Sequence, residues 1–134
     1  MKGILADVNI QGHVDLLVVL MQAEPWKLFW DYLHLRYVHF ADVGLAPSTL
    51  DSMVWDTCQK EELVLITDNR NMKGTDSLEQ TMREEGDSTS LPVITVGSSV
   101  RLKEAAYRAA CATRLVEIIL DLGIYRGAHR LYIP

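Results

Sequence analysis

The sequence predicts an α/β domain with three layers, in which helices cover both faces of a central, mostly parallel sheet. Two features predict this class: short, almost continuously apolar strands, and helical stretches that alternate with them. With 134 residues, of which 49% are hydrophobic, the chain has the size of one domain with a sizeable core. It contains no internal repeat or linker, so we expect residues 1–134 to form a single domain.

The first third of the chain alternates between strand and helix patterns. Gly3–Asp7 is apolar up to its last residue and predicts a buried strand. Apolar residues at helical spacing predict a helix over Gln11–Gln22. Pro25 ends that helix and favours the start of a second one over Trp26–Arg36. Tyr37–Phe40 alternates bulky residues with His39 and predicts a short strand.

The same alternation continues to the end of the chain. Ser48 or Thr49 is a candidate cap for a helix that carries Met53, Val54 and Cys58. The later predicted elements are strand Val64–Thr67, a helix begun by a capping-box-like Asp76 and Glu79 and ending near Glu85, strand Val93–Val96, helix Val100–Leu122 with Gly123 as its stop, and an edge strand Leu131–Ile133.

Charge and apolar content limit the classes of function. The net charge of −5 argues against a protein that coats nucleic acid, because phosphate binding usually requires a basic surface. It argues less against a nuclease, whose metal-binding carboxylates are themselves acidic. Cys58 and Cys111 lie far apart and predict buried thiols in a reducing cytoplasm. The longest apolar run, Leu16–Met21, is too short to span a bilayer, so we expect a soluble cytoplasmic protein.

Two predicted strands end in an acid, at Asp7 and at Asp68. The carboxyl ends of parallel strands lie at one edge of a sheet, so adjacent strands would bring these acids together. Oxygen ligands without nearby cysteine or histidine suit Mg²⁺ or Mn²⁺. Structural roles are open as well: Asp51 and Asp76 are equally suited to capping a helix, and Asp68 to a polar turn.

Two stretches resemble the PIN-domain family of metal-dependent ribonucleases. Leu5-Ala6-Asp7 resembles the first strand of that family, which ends in an acid. The stretch from Asp51-Ser52-Met53 through Leu65-Ile66-Thr67-Asp68-Asn69 resembles its later block of an acid, a helix, an apolar strand, a Thr and a polar loop. The resemblance covers about Lys2 to Asn71, and its specificity lies in the order and spacing of the motifs.

The resemblance implies RNA phosphodiester hydrolysis that depends on Mg²⁺ or Mn²⁺. Asp7, Asp51 and Asp68 would be the catalytic carboxylates, and Asp76 would join them as a metal ligand. The family usually has a further acid, often Glu, on the helix after its second strand, and no residue here is assigned to that position. Contacts to the RNA substrate would come from Asn9, Asn69, Arg70 and Lys73.

Three functions are consistent with the sequence. The first is a PIN-like ribonuclease, free or as a toxin held by an antitoxin or another protein partner. The second is a PIN-like binding module without catalysis. The third, a phosphoryl-transfer or receiver-like protein using Asp7, is weakest because Asn9 stands where a second acid is needed. The apolar Leu115–Tyr125 stretch also predicts a homodimer.

Overall fold

A five-stranded sheet lies at the centre of the computed structural model, which describes residues 1–70 and 77–134. All four strand pairings are parallel, and the strand order is β2-β1-β3-β4-β5. The strands are β1 (Gly3–Ala6), β2 (Arg36–Val38), β3 (Leu63–Thr67), β4 (Val93–Val96) and β5 (Arg130–Ile133). Because β2 and β3 flank β1 on opposite sides, the direction of winding reverses between β1 and β3.

Helices cover both faces of this sheet. They are α1 (Gln11–Met21), α2 (Lys27–Leu33), α3 (Asp51–Glu61), α4 (Leu78–Glu85), α5 (Ala105–Leu120) and α6 (Leu122–Tyr125). Ile4 and Ala6 of β1 pack into one hydrophobic core with α1 and α5, whereas Leu5 packs into a second core with α3 and α4. Successive side chains of a strand point to opposite faces, so each buried strand contributes to both cores. The predicted three-layer α/β/α class is confirmed.

The predicted helix over Trp26–Arg36 is too long. The structure ends α2 at Leu33, because His34 adopts a left-handed conformation with φ of 52°. Arg36 is already part of β2, where it pairs with Gly3 of β1. The strand predicted over Tyr37–Phe40 is shifted accordingly, since Phe40 begins a 3₁₀ turn.

The long helix predicted over Val100–Leu122 is interrupted. Residues Val100–Lys103 form a 3₁₀ turn, and the extended backbone of Glu104 separates it from α5. Gly123 lies inside the short α6 and does not stop a helix, so this prediction is wrong.

The caps of two helices also differ from the prediction. Leu50 precedes α3 without a side-chain hydrogen bond to the helix, and the Thr49 hydroxyl donates instead to the carbonyl of Ala46. Ser77 caps α4 by accepting a hydrogen bond from the backbone N–H of Gln80. The predicted cap Asp76 lies outside the described residues. No helix in the described part of the chain is long and apolar enough to cross a membrane.

Candidate acidic site

The carboxyl ends of β1 and β3 meet at the point where the sheet reverses its winding. Asp7 directly follows β1, and Asp68 and Asn69 directly follow β3. The backbone N–H of Asp7 donates to the carbonyl of Ile66 at 2.9 Å, which continues the pairing of the two strands. In open α/β sheets this reversal point is where ligands bind, because the two adjoining loops separate there.

Asp7 is held by two hydrogen bonds at this edge. Its Oδ2 accepts from the Thr67 hydroxyl at 2.5 Å, and its Oδ1 accepts from the backbone N–H of Asn9 at 3.2 Å. Burial raises the pKa of Asp7 above its ordinary value, and the carboxylates of Asp68 and Asp51 raise it further. The two hydrogen bonds act in the opposite direction but do not cancel this rise.

Asp51 is the first residue of α3, and Asn69 connects it to the loop after β3. The Asn69 side chain donates to Asp51 Oδ2 at 2.9 Å, and the Asn69 backbone N–H donates to the Thr67 hydroxyl at 2.9 Å. Asp51 makes no capping hydrogen bond, so the capping interpretation of this residue is wrong. Thr67 and Asn69 therefore connect the two acids, which come from different elements of the fold.

Asp7 and Asp51 line the same small cleft, whose cavity volume is about 40 Å³. Its polar lining also includes Asn9, Thr49 and Asn69. The apolar part of the lining includes four residues of the core between the sheet, α3 and α4, namely Phe40, Val54, Leu65 and Leu78. Within the described part of the chain, no lysine or arginine lines this cleft.

Two of the predicted site residues are directed elsewhere. Asp68 accepts a hydrogen bond from the hydroxyl of Ser99 at 2.9 Å and does not line the cleft. Arg70 donates to the carbonyls of Val96 and Gly97, and its guanidinium lies 5.7 Å from the centre of the Tyr132 ring. Arg70 therefore connects the ends of β3 and β4 and does not point a cation into the cleft.

Lys73 and Asp76, predicted as substrate and metal contacts, lie outside the described residues. Across residues 1–70 and 77–134, no group of three or more His, Cys, Asp and Glu side chains is arranged to hold a metal ion. The cleft presents two carboxylates together with amide oxygens. This donor set fits Mg²⁺, which keeps several waters and often takes only one or two protein carboxylates.

Sequence reasoning did not identify three residues that organise this region: Thr67, Ser99 and Arg130. Thr67 is recognisable in the sequence as the polar end of an apolar strand. Its complete burial and its hydrogen bond to Asp7 are evident only from the structure. Arg130, one residue before the predicted edge strand Leu131–Ile133, donates to the carbonyl of Asn69 at 2.8 Å, a contact that no local sequence pattern indicates. Comparison of the chain with family models, curated proteins and solved structures finds no match.

Proposed function

We propose that this protein is a Mg²⁺- or Mn²⁺-dependent ribonuclease in which Asp7 and Asp51 hold the cation. The observation that carries the proposal is that both carboxylates line one cleft at the reversal point of a parallel sheet. The resemblance of residues 2–71 to PIN domains supports RNA as the substrate. The proposed site contains fewer acids than the sequence predicts, because Asp68 accepts a hydrogen bond from Ser99 instead of lining the cleft.

The charge of the cleft supports a role for a cation. Two carboxylates without a lysine or arginine among the described lining residues would repel a phosphodiester. A bound Mg²⁺ or Mn²⁺ supplies the positive charge that stabilises a phosphodiester under attack by water. Thr67 and Asn69 hold Asp7 and Asp51 in place through hydrogen bonds of 2.5 and 2.9 Å. Asn9 lines the same cleft and would contact the substrate backbone.

The direct test is cleavage of a mixed single-stranded RNA with Mn²⁺ or Mg²⁺. We expect wild type to cleave and EDTA to abolish cleavage. Asp7→Asn and Asp51→Asn are each expected to lower the rate by about 100-fold or more, since even outer residues of metal sites contribute 10–100-fold. Asp56→Asn is the matched control, because Asp56 lies on the same helix but pairs with Lys60 at 2.9 Å on the surface.

Two results would contradict this function. Cleavage that persists in Asp7→Asn and Asp51→Asn would come from a contaminating nuclease or another site. Absence of cleavage in wild type over a range of RNA sequences would favour the second candidate, a PIN-like binding module without catalysis.

One observation favours that second candidate: only two of the predicted acids face the cleft among the described residues. An apolar groove between α2 and α5, lined by Trp26, Phe29, Val116 and Leu120, offers a surface for a protein partner. The discriminating measurement is metal binding. A ribonuclease is expected to bind Mn²⁺ through Asp7, whereas a module that only binds proteins is expected to show the same melting temperature with and without Mn²⁺.

We further propose that the protein acts in the cytoplasm, where an RNA substrate and an antitoxin or other partner would be found, and that it forms homodimers. The structure buries most apolar side chains of the Leu115–Tyr125 stretch in the core, so a dimer would use exposed apolar side chains on α1, α2 and α6 instead, such as Val19, Leu28 and Ile124. Size-exclusion chromatography with light scattering measures the mass directly, and a mass of one chain at micromolar concentration would contradict the homodimer.

A further inference from the structure

A partly buried ion pair lies close to Asn69, the second residue after β3. Arg130, at the start of β5, donates from Nε to Glu79 of α4 at 2.7 Å. The side chains are only 8% and 14% exposed, respectively. Long charged side chains are rarely this deeply placed unless they are paired and bonded on several sides.

The remaining contacts of Arg130 lead toward the cleft. Its Nη1 donates to the backbone carbonyl of Asn69 at 2.8 Å and to the Thr95 hydroxyl at 2.5 Å. Nη2 is buried and has no hydrogen-bond partner in the described part of the chain. The bonded groups of Arg130 therefore join α4 through Glu79, β4 through Thr95 and the segment after β3 through Asn69.

Asn69 connects this arginine to both acids of the cleft. Its side chain donates to Asp51, and its backbone N–H donates to the hydroxyl of Thr67, which in turn donates to Asp7. A displacement of the Asn69 backbone would therefore change the positions of Asp51 and Asp7 together. Arg130 fixes that backbone from the other side, anchored by Glu79.

We propose that Arg130 is a positioning residue for the cleft, which holds Asn69 so that Asp7 and Asp51 stay at the separation that a divalent cation needs. The inference rests on the proposed function, because it assigns Arg130 a role in cation binding. Outer residues that orient metal ligands typically contribute 10–100-fold to metal affinity.

The experiment measures the Kd for Mn²⁺ alone by calorimetry, at a temperature where every variant is folded by circular dichroism. Arg130→Lys keeps the positive charge but cannot reach Glu79, Asn69 and Thr95 together. We expect it to weaken Mn²⁺ binding by about tenfold or more. Arg130→Gln, which lacks the charge as well, is expected to weaken binding at least as much.

Two control variants separate positioning from general destabilisation. Val93→Ala removes buried volume from β4 beside Arg130, with which it is in register, and should lower the melting temperature but not the affinity. Arg126→Gln removes another arginine that donates to a backbone carbonyl, that of Thr89 at 2.7 Å, and should leave the affinity unchanged. If Val93→Ala weakens Mn²⁺ binding as much as Arg130→Lys does, the loss is one of stability and the inference fails.

A double substitution tests the route through Asn69. If Arg130 acts on Asp51 through Asn69, its effect on the Kd is expected to be smaller in an Asn69→Ala background than in wild type. Equal effects in the two backgrounds would overturn this route, since effects on overall stability add for independent changes.

The outcomes distinguish this inference from the proposed function. If Asp7→Asn and Asp51→Asn lose Mn²⁺ affinity while the Kd of Arg130→Lys stays within about twofold of wild type, only the role of Arg130 is overturned and the proposed function stands. Absence of Mn²⁺ binding in wild type overturns both proposals. Weakened binding in Arg130→Lys, with the controls unchanged, supports both.

Discussion

Replacing Arg130 by methionine tests how strongly the partly buried ion pair with Glu79 stabilises the fold. The substitution leaves the carboxylate of Glu79, only 14% exposed, without its partner at 2.7 Å. Removing one member of a buried pair typically costs about 3–5 kcal/mol. The Thr95 hydroxyl and the Asn69 carbonyl lose their donor as well. Because Glu79 remains partly exposed, we expect a loss near the lower end of that range, about 3 kcal/mol, which for 134 residues corresponds to roughly 10 °C in Tm.

Urea unfolding followed by circular dichroism measures this loss directly. The informative companion is the double variant Glu79→Leu with Arg130→Met, which removes both charges and leaves apolar side chains in their place. It is expected to be more stable than Arg130→Met alone, because replacing a whole buried pair is often neutral or stabilising. A single-variant cost below about 1 kcal/mol, typical of an exposed pair, would refute the reasoning. So would a double variant no more stable than the single one.

Two further predictions concern acids on the other elements. Because the folded-state pKa of Asp7 is raised, metal-free wild type is expected to lose stability as the pH rises from 4 through that pKa, while Asp7→Asn lacks this loss. Urea unfolding in EDTA between pH 4 and 7 should therefore show the difference shifting in favour of Asp7→Asn; a constant difference would contradict this. Asp15 accepts from the Tyr37 hydroxyl at 2.6 Å and from His39 Nε2 at 2.7 Å. Asp15→Ala is expected to cost about 1–2 kcal/mol. It should also lower the pKa of Tyr37, which burial and then this hydrogen bond raise, in an absorbance titration; an unmoved titration would contradict it.

The strands were the most predictable part of the fold. Val93–Val96 has the predicted bounds, and Gly3–Asp7 and Val64–Thr67 each differ from the observed strands by one residue. Continuous apolar runs of this length have few alternatives to a strand buried on both faces. Helix ends were less predictable, since the left-handed His34 and the extended Glu104 have no distinctive signal in the local sequence.

Site residues were predictable from the sequence only where their place at the end of a strand or the start of a helix determines their position. Asp7 and Asp51 share a cleft because one follows a strand and the other begins a helix beside it. The direction of Asp68 depends on Ser99, which is 31 residues away along the chain. The pairing of Arg130 with Glu79 spans 51 residues, and nothing in either local sequence indicates it.

Two partly buried acids near this edge of the sheet, Glu79 and Asp7, differ in the partners that stabilise their charge. Glu79 has an arginine at 2.7 Å, which compensates the cost of placing a carboxylate away from water. Asp7 receives only the Thr67 hydroxyl and the Asn9 N–H, and no cationic side chain of the described residues pairs with it. Asp51 and Asp68 raise its pKa further. A carboxylate with a purely structural role would be more stable with a counter-ion, as Glu79 is. The contrast favours a site whose positive charge comes from outside the described residues, which is why cation binding by Asp7 is the property to measure first.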